Sequence, residues 1–303
     1  MYSITSRWGH QNAISVMWNI GKLCNYDCSY CPAEIHDLTS KSTEYQYLTR
    51  TVDELSALHK PVRIMFTGGE PTLHPQFGDL LKYIQEQNVS WVSVTTNGTK
   101  SVTWYKTHEQ YWNHLLFSLH FEFNWQRVVD VITDYKKHTT KPFFVNIMAH
   151  HNYMTEVKHV VTLFTTLGIK YAIRRIRWVD NSRDEFDDNK YTEDDLSWLL
   201  LQDSTADANC LINDSTLMHS NDVIKHHLNK FTRWTCNAGL ESLMINWDGL
   251  VYRATCRVGN DLGNIYTGTF NRPTTPICCT RDWCTCAADI YITKVNTNIL
   301  HGG

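Results

Sequence analysis

No apolar run in this chain approaches the roughly 20 residues that a membrane-spanning helix needs. The first residues, MYSITSRWGHQNA, contain no apolar signal-peptide core. Both absences point to a cytoplasmic chain that neither spans a membrane nor is exported. Net charge is also scarce, since 28 Lys and Arg stand against 31 Asp and Glu for a balance of −3. No basic run interrupts that balance, so there is no electrostatic case for nucleic acid as a partner. Internal repeats and low-complexity tracts are missing too. What remains is ordinary for a soluble globular protein, 42% hydrophobic and 19% charged. Its 303 residues are enough for one large core with a small appended unit.

A local absence is more telling. The run GKLCNYDCSYCPAE carries Cys24, Cys28 and Cys31, spaced C-x3-C-x2-C, and no fourth cysteine lies nearby. Three thiolates in one loop can hold three corners of an iron–sulfur cube. The fourth iron is then open to an external ligand, which suggests chemistry rather than electron storage. A structural zinc site is the competing reading, but zinc usually takes four ligands from two C-x2-C-like pairs, and these three do not pair so. A disulfide framework ranks below zinc, since the chain is too long to need one and shows no secretory signal. The ten cysteines suit clusters in a reducing compartment.

This spacing, with Tyr30 just before the third cysteine, resembles the radical S-adenosylmethionine (SAM) superfamily. A second match is Gly68, Gly69, Glu70 and Pro71 in RIMFTGGEPTLHP. The resemblance implies that Cys24, Cys28 and Cys31 hold a [4Fe–4S] cluster whose open iron is chelated by SAM. It further implies that Glu70 and the Gly68–Gly69 backbone position the SAM amino group, with Tyr30 beside adenine. Reductive cleavage of SAM would yield a 5′-deoxyadenosyl radical that abstracts a hydrogen atom from substrate, using an external electron donor of the flavodoxin or ferredoxin type.

Residues from about 13 to 178 alternate short β-branched or aromatic runs with amphipathic stretches. AISVMWNI, VRIMFTG, VSVTTNG, HLLFSLHFE, FFVNIMAHH and KYAIRRIRWV read as strands, with five helix-like segments between them. That alternation predicts a parallel α/β sheet. The resemblance implies a partial (β/α)6 barrel over residues 1–180, with ligands at the carboxyl ends of the strands. Thr95 and Asn97 after the third strand and Ser118 after the fourth are candidates for ribose or methionine contacts. His120 and Glu122 are candidates for substrate contact. Strand alternation puts Arg175 and Arg177 on one face and Arg174 on the other. One of these arginines is a candidate for the SAM carboxylate or a substrate anion; Arg175 is taken as the SAM-binding candidate.

Residues 181–235 read as a helical linker region. It includes a helix starting at EDDLSWLLL, capped by Thr192, a second helix-like stretch HSNDVIKHHLNKFTRW, and a lone Cys210 expected to be buried and inert. Six cysteines then crowd residues 236–303. Cys236 and Cys256 flank LMIN, Trp247-Asp248-Gly249 and LVYRA, which read as a hairpin with an Asp-Gly turn. PICCTRDWCTCAAD supplies Cys278, Cys279, Cys284 and Cys286. This group resembles the twitch and SPASM extensions of radical SAM maturases, although its spacing departs from theirs. The resemblance implies one auxiliary [4Fe–4S] cluster held by Cys236, Cys256 and two of Cys279, Cys284 and Cys286. A spare thiol would then be free to donate a hydrogen atom. A structural zinc ribbon is the alternative. The terminal Gly302-Gly303 resembles the tail of the radical SAM cyclases of molybdenum-cofactor synthesis, whose C-terminal cysteine spacing differs from this one; a disordered or engineered end is the alternative.

The preferred functional reading is modification of a peptide or protein by oxidation, crosslinking or epimerisation. Only about a dozen residues precede the first expected strand, too few for a winged-helix domain that binds a leader peptide. The alternative substrate is a small metabolite such as a nucleotide, aminosugar or amino acid. A reading of another class is a noncatalytic, metal-stabilised binding protein.

Overall fold

The structure, a computed structural model, describes residues 2–7, 12–176 and 190–296. Strand β1 (Tyr2–Ser6) comes first. β2 (Ile14–Asn19), α1 (Tyr45–Ser56), β3 (Val62–Thr67), α2 (Phe77–Gln85), β4 (Val89–Thr96) and α3 (Val102–His108) follow. Next are β5 (His114–Leu119), α4 (Trp125–His138), β6 (Phe143–Ala149), α5 (Met154–Thr166) and β7 (Tyr171–Arg175). The remainder is built from shorter pieces: α6 (Glu193–Leu201), β8 (Cys210–Ile212), β9 (Thr216–Met218), α7 (Ser220–Lys225), β10 (Thr235–Cys236), β11 (Ser242–Ile245), β12 (Val251–Tyr252), β13 (Ile277–Cys278), α8 (Ala287–Ile290) and β14 (Lys294–Asn296).

The six expected strands form β2 to β7, pairing in sequence order and all parallel. Period-two alternation decides what each face carries. In β3, Val62, Ile64 and Phe66 are fully buried beneath the helices, and Arg63, Met65 and Thr67 line an interior cavity. In β5, Leu115, Phe117 and Leu119 are buried while His114 and Leu116 line the same cavity. Burying each large apolar side chain contributes roughly 1.5–3 kcal/mol. The helices answer with apolar stripes at i, i+3, i+4 and i+7, such as Leu48, Thr51, Val52 and Leu55 of α1.

Thr192 caps α6 as expected, its hydroxyl accepting from the Asp195 amide at 3.1 Å. The Asp-Gly hairpin also forms, from β11 and β12, with Gly249 at φ +84°. This hairpin joins the parallel sheet, because β11 pairs with β2. The second sheet, β13-β10-β14-β1-β8-β9, is antiparallel and includes β1. Strands from all three sequence segments meet in this antiparallel sheet.

Two readings change. A strand, β1, precedes the first expected one, held between β8 and, near the far end of the sequence, β14. The helix read over residues 219–234 is only α7. His227 adopts φ +56°, and the Leu228 and His227 amides bond back to the Val223 and Ile224 carbonyls, which closes a Schellman-type stop. Arg177 and Gly302-Gly303 lie outside the described residues. Among the described residues no helix is long and apolar enough to cross a membrane.

Candidate functional site

The Cys24–Cys31 loop leaves the carboxyl end of β2 and packs against the ends of its neighbours. Tyr26 stacks on Phe123 with centroids 4.1 Å apart. Cys28, Tyr30 and Ile176 are buried together, with Cys24, Cys31, Phe123 and Met148 packed against them. The three thiols thus meet in one buried patch. Burial first, and then the neighbouring thiols, pushes Cys28 up strongly and Cys31 up to about 12. Thiols in that state need a metal to become thiolates.

The Gly-Gly-Glu turn is the clamp on this loop. The Gly69 amide donates to the Gly21 carbonyl at 3.0 Å, and the Glu70 amide to that of Leu23 at 2.8 Å. A Cβ at Gly69 would sit 2.3 Å from the carbonyl oxygens of Lys22 and Leu23. At Gly68, φ is +118° and a Cβ would meet the Gly21 oxygen at 2.7 Å. Only glycines allow the two backbones to approach so closely.

Glu70 is buried. Its Oε1 accepts from the Thr72 amide (3.1 Å), the Thr72 hydroxyl (2.6 Å) and the Thr96 hydroxyl (2.9 Å), and its Oε2 from the Asn97 amide (2.7 Å). Burial raises its pKa against these hydrogen bonds. The carboxylate thus ties the end of β3 to that of β4. Asn97 reaches the cysteine loop in turn, its Nδ2 donating to Asn25 Oδ1 at 2.8 Å. Glu122 does the same from β5, accepting from the Ser29 amide at 3.0 Å and facing His150 Nε2 at 3.6 Å. Tyr30 is bonded through its hydroxyl to His120 Nδ1 at 2.6 Å. Burial lowers His120 to about 4, so its ring is neutral at pH 7.

Two cavities adjoin this assembly. One, of about 430 Å³, is lined by Tyr30, Cys31, Ser118, His120, Arg174 and Arg175. The other, about 640 Å³, runs through the interior of the parallel sheet and reaches Thr95 and Cys286. Thr67, Asn146, Arg174 and Asn221 line both. Arg174 and Arg175 thus both line the smaller cavity, at the carboxyl end of β7.

The C-terminal cysteines divide. Cys236, Cys256, Cys279 and Cys284 line one small buried cavity together with Lys294 and Asp289. Cys286 faces the large interior cavity instead, and Cys278 is exposed. Lys294 is buried, its ammonium donating to the carbonyls of Asp289, Ile290 (3.2 Å) and Ile292 (3.1 Å). Burial pushes that ammonium down, but the facing Cys284 and Cys236 thiols and Asp289 outweigh it and hold it up. No sequence pattern marks Lys294 or Asp289, since neither lies in a recognisable motif. Cys210 is buried, as expected, and pushed up to about 12. Among the described residues no three Cys, His, Asp or Glu side chains stand close enough to share a single metal ion.

Thiols on a loop clamped by a glycine turn, at the carboxyl ends of parallel strands and beside a ligand-sized cavity, define an α/β enzyme site. The family model for the radical SAM superfamily matches residues 18–170, half of the chain, and the chain belongs to that superfamily. A [4Fe–4S] cluster and SAM are expected for such an enzyme. Among curated relatives, Fe-coproporphyrin III synthase of Methanosarcina barkeri is 36% identical over 87 residues, 28% of this chain and 21% of that protein. The probable GTP 3′,8-cyclase of Thermoplasma volcanium is 28% identical over 85 residues, 28% of this chain and 26% of its own. The matched stretches thus span only about a quarter of these relatives. Among solved structures, native anSMEcpe with bound AdoMet superposes with a TM-score of 0.57 at 19% identity, covering 85% of this chain and 79% of that one. A likeness at that identity shows the fold.

Proposed function

We propose that this chain cleaves SAM reductively and abstracts a hydrogen atom from a substrate held in the interior cavity. In this reading the parallel sheet is a partial (β/α)6 barrel, and the C-terminal thiol cavity is a twitch/SPASM-like site for one auxiliary [4Fe–4S] cluster. The observation that carries it is the hydrogen-bonded clamp between the Gly68–Glu70 turn and the loop of Cys24, Cys28 and Cys31. It sits at the strand ends where ligands of such sheets gather.

The residues present fit both groups. The first three thiols converge in one patch, and four of the six C-terminal thiols share a cavity with a buried ammonium of compensating charge. When bound, the first cluster and SAM supply the 5′-deoxyadenosyl radical. The chain's own contribution is positional. The Gly68–Gly69 backbone would position the SAM amino group, and Glu70 holds that turn to Thr96 and Asn97. Tyr30 and Ser118 wall the smaller cavity for the nucleoside, with Arg175 toward the carboxylate. An external flavodoxin- or ferredoxin-type donor delivers the electron.

The sequence favours a peptide or protein substrate, and a further anSMEcpe structure contains AdoMet and a Kp18Cys peptide (TM-score 0.57, 18% identity, 85% of this chain and 79% of that one). The specific observation favouring a small metabolite is the interior cavity, whose volume suits a small ligand. The test is anaerobic reconstitution followed by dithionite and SAM. About eight irons per chain are expected, with 5′-deoxyadenosine formation abolished by Cys28→Ala. Bound zinc without SAM cleavage would overturn the proposal.

A further inference from the structure

We infer that His120 tunes the reduction potential of the first cluster through a hydrogen-bond chain that ends on Cys28. This rests on the reading above that Cys24, Cys28 and Cys31 hold that cluster.

Three polar atoms meet at the carboxyl end of β5. His120 Nδ1 stands 2.6 Å from the Tyr30 hydroxyl and 3.5 Å from Cys28 Sγ. The Tyr30 hydroxyl is hydrogen-bonded to Cys28 as well. Cys28 and Tyr30 are both buried. Rings hold the imidazole in place. Tyr30 lies nearly parallel to it, at 18°, and Tyr26 meets it edge-on, at 82°, each with centroids 6.0 Å away. The sequence suggests substrate contact for His120, but its Nδ1 is turned to the cysteine loop.

Binding of iron fixes which way the protons of this triangle point. A ligating thiolate carries no proton and only accepts. The Tyr30 hydroxyl then donates to Cys28 Sγ, and its oxygen accepts from His120 Nδ1–H. Both donors are thereby aimed at one ligand sulfur. Hydrogen bonds to cluster sulfur stabilise the more negative, reduced state and raise the potential. They weigh more in a buried patch of low dielectric than they would in water.

The chain is not what holds the loop. Glu122, just beyond His120, accepts from the Ser29 amide at 3.0 Å, and the Gly69 and Glu70 amides clamp the loop from the β3 side. Cys24 is served differently, its Sγ accepting from the Tyr26 amide at 3.4 Å, a main-chain donor that no side-chain exchange removes. The effect of His120 on Cys28 is therefore electronic and separable from the placing of the thiols.

The test is a redox titration of the anaerobically reconstituted protein, before SAM is added, followed by electron paramagnetic resonance. The signal absent from Cys28→Ala identifies the first cluster. His120→Leu and Tyr30→Phe should each shift its reduction equilibrium at least tenfold toward the oxidised state, about 59 mV for one electron, at wild-type iron content. His120→Asn keeps an N–H near the Nδ1 position and should restore most of the wild-type potential. The double variant His120→Leu/Tyr30→Phe should shift by less than the sum of the two, because both groups act on one sulfur. Unshifted potentials in the single variants, an equal shift in His120→Asn and His120→Leu, or strictly additive shifts would overturn the assignment. If His120→Leu takes up no iron at the first site, Tyr30→Phe decides, a shift upholding the chain and its absence overturning it. A cluster that forms but keeps its potential in the variants overturns only the tuning role. Wild-type protein that forms no cluster at the first loop overturns the reading beneath it.

Discussion

Gly69→Ala adds a single methyl group where there is no room for it. The new Cβ would stand 2.3 Å from two main-chain oxygens, those of Lys22 and Leu23. Neither is the end of a flexible side chain, so the loop before Cys24 must move by the order of 1 Å to restore an ordinary contact. That motion strains the hydrogen bonds from Gly69 to Gly21 and from Glu70 to Leu23. Overpacking of this kind costs about 1–3 kcal/mol, which lowers the melting temperature by roughly 2–12 °C for a chain this large. The functional loss should be larger than the thermal one. A displacement near 1 Å in a reacting constellation costs about 100-fold in rate, and Cys24 is carried on the displaced loop. The assay is 5′-deoxyadenosine production per reconstituted chain, with iron content and melting temperature measured on the same sample. A variant with full iron, unchanged melting and a rate within twofold of wild type would refute the clamp.

Cys286→Ser should keep about eight irons per chain, whereas Cys284→Ser should fall to about four, because only Cys284 shares the thiol cavity; iron analysis decides. Lys294→Met removes the buried cation facing those thiols and should lower the potential of the second cluster, read by a redox titration followed by electron paramagnetic resonance. The half-buried imidazole of His114 and the buried one of His219 are both lowered to about 4, so between pH 6.5 and 4 the unfolded chain binds more protons than the folded one. Stability should therefore fall as pH drops through that window, by about 2 kcal/mol per residue at pH 5. Urea denaturation at pH 7.5 and 5 measures the loss, and His114→Gln should remove one share of it.

The parallel sheet was legible in the sequence because its strands are long, β-branched and separated by amphipathic helices whose stripes repeat at 3.6 residues. Cys24, Cys28, Cys31 and the glycine pair were legible because their chemistry demands particular residue types. Other features were hidden for physical reasons. Strands β8, β10, β13 and β14 have two or three residues each, too few to show a period, and are held by partners distant in sequence. That the Glu70 carboxylate bonds to Thr72, Thr96 and Asn97 was not legible. Nothing in a linear motif distinguishes a carboxylate facing a ligand from one holding strand ends together. The sorting of Cys284 from Cys286 is likewise a matter of which way successive side chains point in an irregular loop.

Strand β1 sets an order of events during synthesis. Ser3 pairs with Val295, so the two edges of that contact leave the ribosome roughly 290 residues apart, about 15–60 s at ordinary elongation rates. The parallel sheet can begin to consolidate as β2 to β7 emerge, because each of them pairs with the next. The antiparallel sheet has no such option. Its nascent first strand must wait for β8 on one side and for β14 on the other, and the C-terminal thiols are gathered only when the second seam closes. The C-terminal thiol cavity is thereby completed later than the parallel sheet that scaffolds the first cysteine loop.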